Sequence, residues 1–575
     1  MWTKEQLEAI NSEGNLLVSA AAGAGKTAVM TERIARIISE GTRVEELLVV
    51  TFTKPAAAEM KQRIETRLID LSESEKDQSK KRFLTEAAAG VSGANISTIH
   101  SFCTNVLKRN YHIVGLDPAF RVGDDAETAL LRKKAMDELM EEFYLSAEKE
   151  EDEVSDFLIR TFGENDGIES ILLSIYSFII ARPQPIEWLK KAAAAYGKDF
   201  YKAQEKAGEH LIGIASRDLK VFMNYADRVN EENRGILTGD DRGFLSIVSD
   251  DRQSLFAFTL YNSYESWQRN LDGFRLKKMY LKKGLEAPDS IKKYRKQLSD
   301  LLSKKIKPLF KYTLEEEEKA AAAIEPVLEK LCALEEGFME RYAALKQQEA
   351  IIDYSDMEQL TLLVLSNEDA AEEYRQRFKY IFIDEYQDTN LVQDSIISRI
   401  SRGNNLFMVG DVKQSIYRFR QAEPASFLQK YRSYEGKTGK RIDLNHNFRS
   451  NTAILNAANK LFSQLMLGEV GEIDYSDNAA LRPGEGREQG SVELALIELS
   501  PDIYREKTAE DDDSPAPEEN GAGETAETAE SEEQGAFEEL ESVEAEAAYI
   551  ADRIHELMRD GSVIDKEKGE KRKPK

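Results

Sequence analysis

Cysteine is nearly missing from this chain: Cys103 and Cys332 are the only two in 575 residues, far apart and without CxxC spacing. That scarcity excludes a disulfide framework and a cysteine-rich metal centre. No apolar run approaches the ~20 residues a bilayer span requires, and the opening MWTKEQLEAI is polar and amphipathic, unlike a signal-peptide core. A cytoplasmic protein with no membrane contact is the expectation. Cations are also in deficit, 78 Lys and Arg against 105 Asp and Glu, for a formal charge of -27. Spread evenly, that deficit would argue against a polyanion partner, because phosphate neutralisation needs Lys and Arg at the contact. The distribution is uneven, however. Residues 508–546 hold 16 acids and no base, whereas residues 275–311 hold 13 bases against Glu286, Asp289 and Asp300, a local balance of +10. Local sign, and not the total, decides the partner.

Domains of about 100 to 200 residues predict three or four units in a chain of this length. Residues 1–122 alternate short apolar strands (NLLVSA, LLVVTF) with amphipathic helices (Thr27 to Ser39, Ala56 to Asp70). Such alternation predicts an α/β fold built on a parallel sheet. Residues 123–349 change to long charged segments of helical period, such as ETALLRKKAMDELMEEFY, and read as a helical insertion. Strands return in 350–440 as YIFIDE and NLFMVG, and again at RIDLN (441–445), so two distant pieces are expected to complete one sheet. Residues 441–575 read as the beginning of a second α/β domain. They carry a helix (ILNAANKLFSQLM), a strand-like SVELALIEL (491–499), an acidic tract at 508–546 expected to be disordered, and a last helix near 542–559. That second domain starts and then stops, as it would in a fragment of something longer.

Two segments carry phosphate chemistry. Residues 15–27, NLLVSAAAGAGKT, run from an apolar strand through a small-residue turn into a helix. In the turn Ala20, Ala21, Ala22, Gly23, Ala24 and Gly25 let backbone amides cradle phosphates, while Lys26 reaches the β- and γ-phosphates and Thr27 binds Mg2+. Ala20 stands where the GxxxxGK[ST] pattern has its first Gly. Far downstream, IFIDEYQDT (381–389) ends a strand on Asp384, positioned to hold Mg2+, and Glu385, positioned to activate the attacking water. A lone Asp-Glu pair would read as a solvated loop; with the phosphate loop in the same chain it reads as ATP hydrolysis.

Further segments have a pattern of their own: VTFTKPAAAEMKQRI (50–64), ISTIHSFCTNVLKR (96–109), VGDVKQSIYRFRQ (409–421) and DLNHNFRS (443–450). With WTKEQLEAI and DEYQDT, in that order along the chain, they resemble the motifs of superfamily 1 DNA helicases of the UvrD/Rep type. VGDVKQSIYRFRQAEPASFLQKY resembles more closely the AddA (RexA) group of helicase-nuclease subunits. The resemblance implies RecA-like motor domains, ATP and Mg2+ as cofactors, 3′ to 5′ translocation on DNA in double-strand-break processing, and an AddB-like partner subunit. It implies that Gln6 recognises adenine, that Gln414 couples the γ-phosphate to DNA, and that Arg449 approaches the γ-phosphate. Phe52, Tyr417 and Phe419 fall at positions that face single-stranded DNA, where stacking is worth ~1 to 3 kcal/mol per base. His100 and Arg420 fall beside them. Core packing stays an alternative for Phe52 and Phe419.

The basic stretch 274–312, with Phe274, Tyr280, Tyr294, Phe310 and Tyr312 interleaved, could track the phosphates of duplex DNA or form a solvated helix face. The nuclease and cysteine-bound cluster that the AddA group carries are not found in these residues. Two other readings remain at this stage: a stand-alone UvrD-like helicase, which DVKQ disfavours, and a DNA-binding scaffold whose ATPase does not turn over alone.

Overall fold

A computed structural model describes residues 2–466 apart from 151, 164–166, 235–236, 238–242, 278–285 and 435–438, and beyond them 475, 479–484, 491–497, 527–561, 563–564 and 571–573. Six parallel strands form the central sheet: β1 (Leu16–Ala20), β2 (Leu47–Thr51), β3 (Asn95–Thr98), β4 (Tyr380–Ile383), β5 (Leu406–Gly410) and β6 (Lys440–Leu444). Their order is β3-β2-β4-β5-β1-β6. β1, β2 and β5 are apolar runs buried at every position. Burial on both faces is what an all-parallel sheet requires, since its crossovers put helices on each side. One face is covered by α1 (Lys4–Asn11), α2 (Lys26–Ser39) and α3 (Lys54–Ser74), the other by helices that include Ile99–Asn110, Tyr354–Val364 and Leu391–Ile400.

As expected from the sequence, this sheet is assembled from both sides of a helical segment. The segment leaves and returns through a neck in which Arg121–Val122 pairs parallel with Ile351–Ile352. Ala350, at the return, has φ 49, a left-handed conformation that closes the turn after the long helix Leu314–Gln348. β6 belongs to the first sheet, hydrogen-bonded along β1 from Leu16 to Ala20. A boundary after residue 440 would therefore cut a strand at its first residue, and the first unit extends to Gln489.

Inside the insertion the chain builds two apolar cores of its own. One takes in Trp267, Tyr294 and Phe310, with Trp267 stacked on Phe310 at 5.1 Å. These aromatics of the basic stretch are core residues. Its cations are largely spent locally: Lys277 pairs with Asp250, Arg295 with buried Asp251, and Lys304 with Asp300. Residues 278–285, which carry three of the bases and Tyr280, lie outside the described residues. Only Tyr312 of the interleaved rings described is exposed.

In the other core, Glu335 is fully buried and neither carboxylate oxygen finds a partner among the described residues. Burial pushes its carboxyl up to about 8. The folded state therefore holds a proton that the unfolded state releases, and stability falls as pH rises from the ordinary carboxylate range towards 8. The slope reaches at most about 1.4 kcal/mol per pH unit for one proton. Glu335→Leu is expected to abolish that slope and to raise the unfolding midpoint at pH 8, measured by thermal unfolding across pH 5 to 9. An unchanged slope would assign the pH dependence elsewhere.

The second unit, Gly490–Lys575, contains the helix Glu527–Asp560, with Glu493 paired to Arg553. Residues 527–546, expected to be disordered, form the first part of that helix. Glu and Ala are strong helix formers, and the segment has no proline. Residues 508–526 lie outside the described residues, as do 498–500, and residues 491–497 form no strand despite their alternating pattern. Among the described residues no helix is long and apolar enough to cross a membrane.

Candidate active site and nucleic-acid face

Every site residue expected from the first part of the chain sits at or beyond the carboxyl edge of the sheet, where ligands bind in open parallel sheets. The turn after β1 adopts left-handed φ at Gly23 (69) and Gly25 (82), and α2 opens directly on Lys26 with Thr27 next in its first turn. Ala20 ends β1; Ala21 donates its N–H to Leu444 O at 3.0 Å and Ala24 donates to Ala21 O at 3.1 Å. Gln6 lies against this turn. Its Nε2 donates to Ala24 O at 3.1 Å, while its Oε1 accepts the Thr3 N–H at 2.9 Å in the capping box of α1. The amide is buried and held on two sides.

The segment after β6 closes on the same turn. Asn447 Nδ2 donates to Ala22 O at 2.7 Å and the Phe448 N–H donates to Gly23 O at 2.9 Å. Asn447 Oδ1 accepts the N–H groups of Arg449 and Ser450 at 2.8 and 2.7 Å. Arg449 thereby lies so near the turn that a Cβ on Gly23 would sit 2.7 Å from Arg449 Cβ. Only glycine fits there.

On the neighbouring strands, β4 ends in Ile383 and delivers Asp384 and Glu385. Asp384 donates its N–H to Val50 O at 2.9 Å, and Glu385 takes a left-handed φ of 48, which turns its side chain towards the phosphate loop. Lys26 Nζ donates to Glu385 Oε2 at 2.8 Å. Burial, and then the charge of Glu385, push Asp384 up to about 6 against the pull of Lys26. Asp388 is pushed up to about 6 as well, by burial and by Glu385. Its Oδ1 is buried and has no hydrogen-bond partner among the described residues. Asp384 and Glu385 thus stand beside Lys26 at the glycine turn, a chemistry suited to a polyphosphate that brings its own cation, since among the described residues no group of three carboxylate, histidine or cysteine side chains is arranged to hold a metal.

From Glu385 a hydrogen-bonded path leads away from the phosphate turn. Gln387 Nε2 donates to Glu385 Oε2 and to Asp388 Oδ2, both at 2.9 Å, and Gln387 Oε1 accepts the Asp411 N–H at 2.9 Å. Asp411 Oδ2 then accepts Gln414 Nε2 at 2.7 Å, and Asp411 Oδ1 pairs with Lys413 at 2.9 Å. Three residues on from Gln414, the Tyr417 ring meets Phe52 at 4.8 Å and Phe419 at 5.7 Å. Phe419 is 74% exposed and Phe52 36%. Core packing is thus not their role. Arg420 closes the turn 418–420, and its side chain lies outside the described residues. His100 lies in the first turn of Ile99–Asn110, edge-on to Tyr354 at 5.2 Å. A cavity of about 580 Å³ joins Phe52, His100 and Phe419 to Asp384, Glu385 and Asp388.

A hydrogen-bonded path thus runs from Lys26 of the turn to Gln414, three residues before the Tyr417 of the aromatic row. The sequence profile of the UvrD/REP helicase N-terminal domain matches residues 2–435. The chain belongs to the UvrD/REP helicase family. Curated relatives are similar over most of it: an ATP-dependent helicase/nuclease subunit from Alkaliphilus oremlandii is 36% identical over 527 residues, covering 88% of this chain and 43% of the relative. The proteins of the same name from Staphylococcus carnosus and Clostridium perfringens are each 34% identical over the whole chain, which covers 45% and 47% of them. The chain thus spans somewhat less than half the length of these relatives.

In this UvrD/REP family chain three residues at the site, Gln387, Asp411 and Asn447, escape sequence reasoning. Gln387 and Asp411, 2% and 1% exposed, carry the path between the carboxylates and Gln414. Gly410 is its spatial complement, since a Cβ there would meet Gln387 Oε1 at 2.4 Å. Asn447 anchors the segment that bears Arg449. All three were visible only as polar letters inside motifs; a buried polar residue directly after an all-apolar strand is the signal that could have marked Asp411.

Proposed function

We propose that this chain is the ATP-driven motor portion of a 3′ to 5′ DNA helicase or translocase, belonging to a helicase-nuclease that processes double-strand breaks in the cytoplasm with an AddB-like partner. The observation that carries the reading is the unbroken path Lys26–Glu385–Gln387–Asp411–Gln414, which ends beside the Phe52–Tyr417–Phe419 row. In this reading Gly23 to Thr27 hold the phosphates of ATP and Gln6 reads the adenine edge. Thr27 and Asp384 would hold Mg2+, which neutralises charge on the transferring phosphoryl group. Glu385 accepts the proton of the attacking water, and Arg449 stabilises the developing charge from the segment beyond β6. The aromatic row, with His100 and Arg420, stacks and grips single-stranded DNA. Gain or loss of the γ-phosphate moves Glu385 relative to Gln387, and the buried path passes that shift to Gln414 and the rings. Duplex DNA ahead of the motor is the second nucleic-acid partner.

Steady-state ATP hydrolysis with and without single-stranded DNA tests this. DNA-stimulated turnover is expected, with Lys26→Ala lowering it at least about a hundredfold. Nucleotide and DNA binding without turnover would make the chain a motor that needs the remainder of its relatives' length. Neither binding nor turnover would overturn the reading.

A further inference from the structure

The path through Gln387 is not the only buried connection between the catalytic carboxylates and the aromatic face. Glu358, on the helix Tyr354–Val364, is buried, and its carboxylate gathers three side-chain nitrogens from two other helices, two of them hydrogen-bond donors. Gln393 Nε2 donates at 2.6 Å, Asn390 Nδ2 at 2.8 Å, and His100 Nε2 lies 3.1 Å away. A carboxylate held in this way is satisfied, and each donor is fixed by it in return. Asn390 has no freedom to turn: it is the N-cap of Leu391–Ile400, its Oδ1 accepting the Gln393 N–H at 2.8 Å, so its amide nitrogen must face Glu358. Asn390 stands two residues after Asp388, and the Thr389 carbonyl between them accepts the Glu423 N–H at 3.0 Å. Glu358 also orients the ring of His100. With Nε2 beside the carboxylate, Nδ1 is the ring nitrogen left to meet a ligand.

Resting on the motor reading above, we infer that Glu358 is a positioning residue for DNA recognition: it holds His100 in place at the cavity wall, and through Asn390 it registers that histidine against the segment bearing Asp384, Glu385 and Asp388. The same helix faces the insertion. The neighbouring Gln359 Nε2 donates to the carbonyls of Ile180 and Arg182 at 2.6 and 2.8 Å. One short helix thus touches the insertion with one residue and joins the strand-gripping histidine to the hydrolytic segment with the next.

Glu358→Gln keeps the volume but replaces one accepting oxygen with a donor, so it must turn away at least one of the three groups it now holds. In ATPase titrations with a thymidine oligonucleotide of about 16 residues, the half-stimulating DNA concentration is expected to rise about tenfold in Glu358→Gln, with the rate at saturating DNA changing less than about twofold. His100→Ala is expected to show the same split, and the double variant to be no worse than His100→Ala alone, since both changes remove one interaction. Unchanged half-saturation, additive effects in the double variant, or loss of folding in Glu358→Gln would each overturn the inference, the last by making Glu358 a core strut. Absence of DNA stimulation in the unsubstituted chain would overturn the motor reading and this inference with it; stimulation retained at its normal DNA concentration in Glu358→Gln overturns this inference alone.

Discussion

Glu385→Gln is expected to lower ATP turnover by about a hundred- to ten-thousandfold, the range a positioned general base supplies, while nucleotide binding stays at least as tight. What surrounds the carboxylate decides this outcome. Its Oε2 accepts Lys26 Nζ at 2.8 Å and Gln387 Nε2 at 2.9 Å, so the group is held in place from both the phosphate side and the coupling side. An amide keeps the shape and loses the base. It also releases Lys26 from an ion pair that competes with phosphate for the ammonium, which is why affinity is not expected to fall. The neighbouring carboxyl responds too: Glu385 is one of the causes that hold Asp384 up, so Asp384 titrates lower in the variant. The left-handed backbone at Glu385 is the same for Gln, and any loss is therefore chemical and not conformational. Phosphate release together with binding of a fluorescent ATP analogue checks the pair of outcomes. A loss below tenfold would mean that another group activates the water, with Asp388 the nearest carboxylate available.

How far these arrangements were legible from the residues alone depends on what kind of signal each one leaves. The sheet was legible because β1, β2, β4 and β5 are apolar runs, bounded on the carboxyl side by the residues that do the chemistry. The phosphate turn and the Asp384–Glu385 pair were legible for the same reason. Phe52 and Phe419 were not, because an aromatic beside an apolar strand reads alike whether it is buried or, like Phe419, 74% exposed. Gln387, Asp411 and Asn447 were missed because a buried hydrogen-bond network is a property of pairs. Gln387 and Asp411 are 24 residues apart, and Asn447 reaches Ala22 across 425. No periodicity links them. The alternation in 491–499 reads as a strand, but a strand needs a neighbour to pair with; residues 491–497 are exposed throughout, and nothing among the described residues pairs with them. In the basic stretch the letters show cations and rings interleaved without saying which way each ring faces; at helical spacing Tyr294 and Phe310 turn inward into a core.

Lys346→Met is expected to destabilise the first unit by about 3 to 5 kcal/mol, the cost of leaving buried carboxylates without their counter-ion. Lys346 lies at the end of the long insertion helix, just before the neck, with its side chain 5% exposed. Its Nζ donates to Asp353 at 2.9 Å and to Asp356 at 2.7 Å, and sits 3.9 Å from the centre of the Tyr342 ring. The two aspartates are committed to each other for a different reason. They form the capping box of Tyr354–Val364, Asp353 Oδ1 accepting the Asp356 N–H at 2.8 Å and Asp356 Oδ2 accepting the Asp353 N–H at 2.9 Å. That reciprocity forces two carboxylates together at a buried site. Burial acts on both: it holds Asp356 up to about 6, whereas for Asp353 it is outweighed by Lys346 and the hydrogen bonds, which hold that carboxyl below its ordinary range. Without the ammonium the pair repels, and the helix that carries Glu358 and Gln359 loses its start. Asp356→Asn in the Lys346→Met background is expected to recover at least half of the loss, because it removes one charge and keeps the oxygen that caps Asp353. Denaturant unfolding of the two variants measures both steps. If Lys346→Met costs less than about 1 kcal/mol, the cluster is solvated in the folded state, and the neck is held by the Arg121–Val122 and Ile351–Ile352 pairing instead.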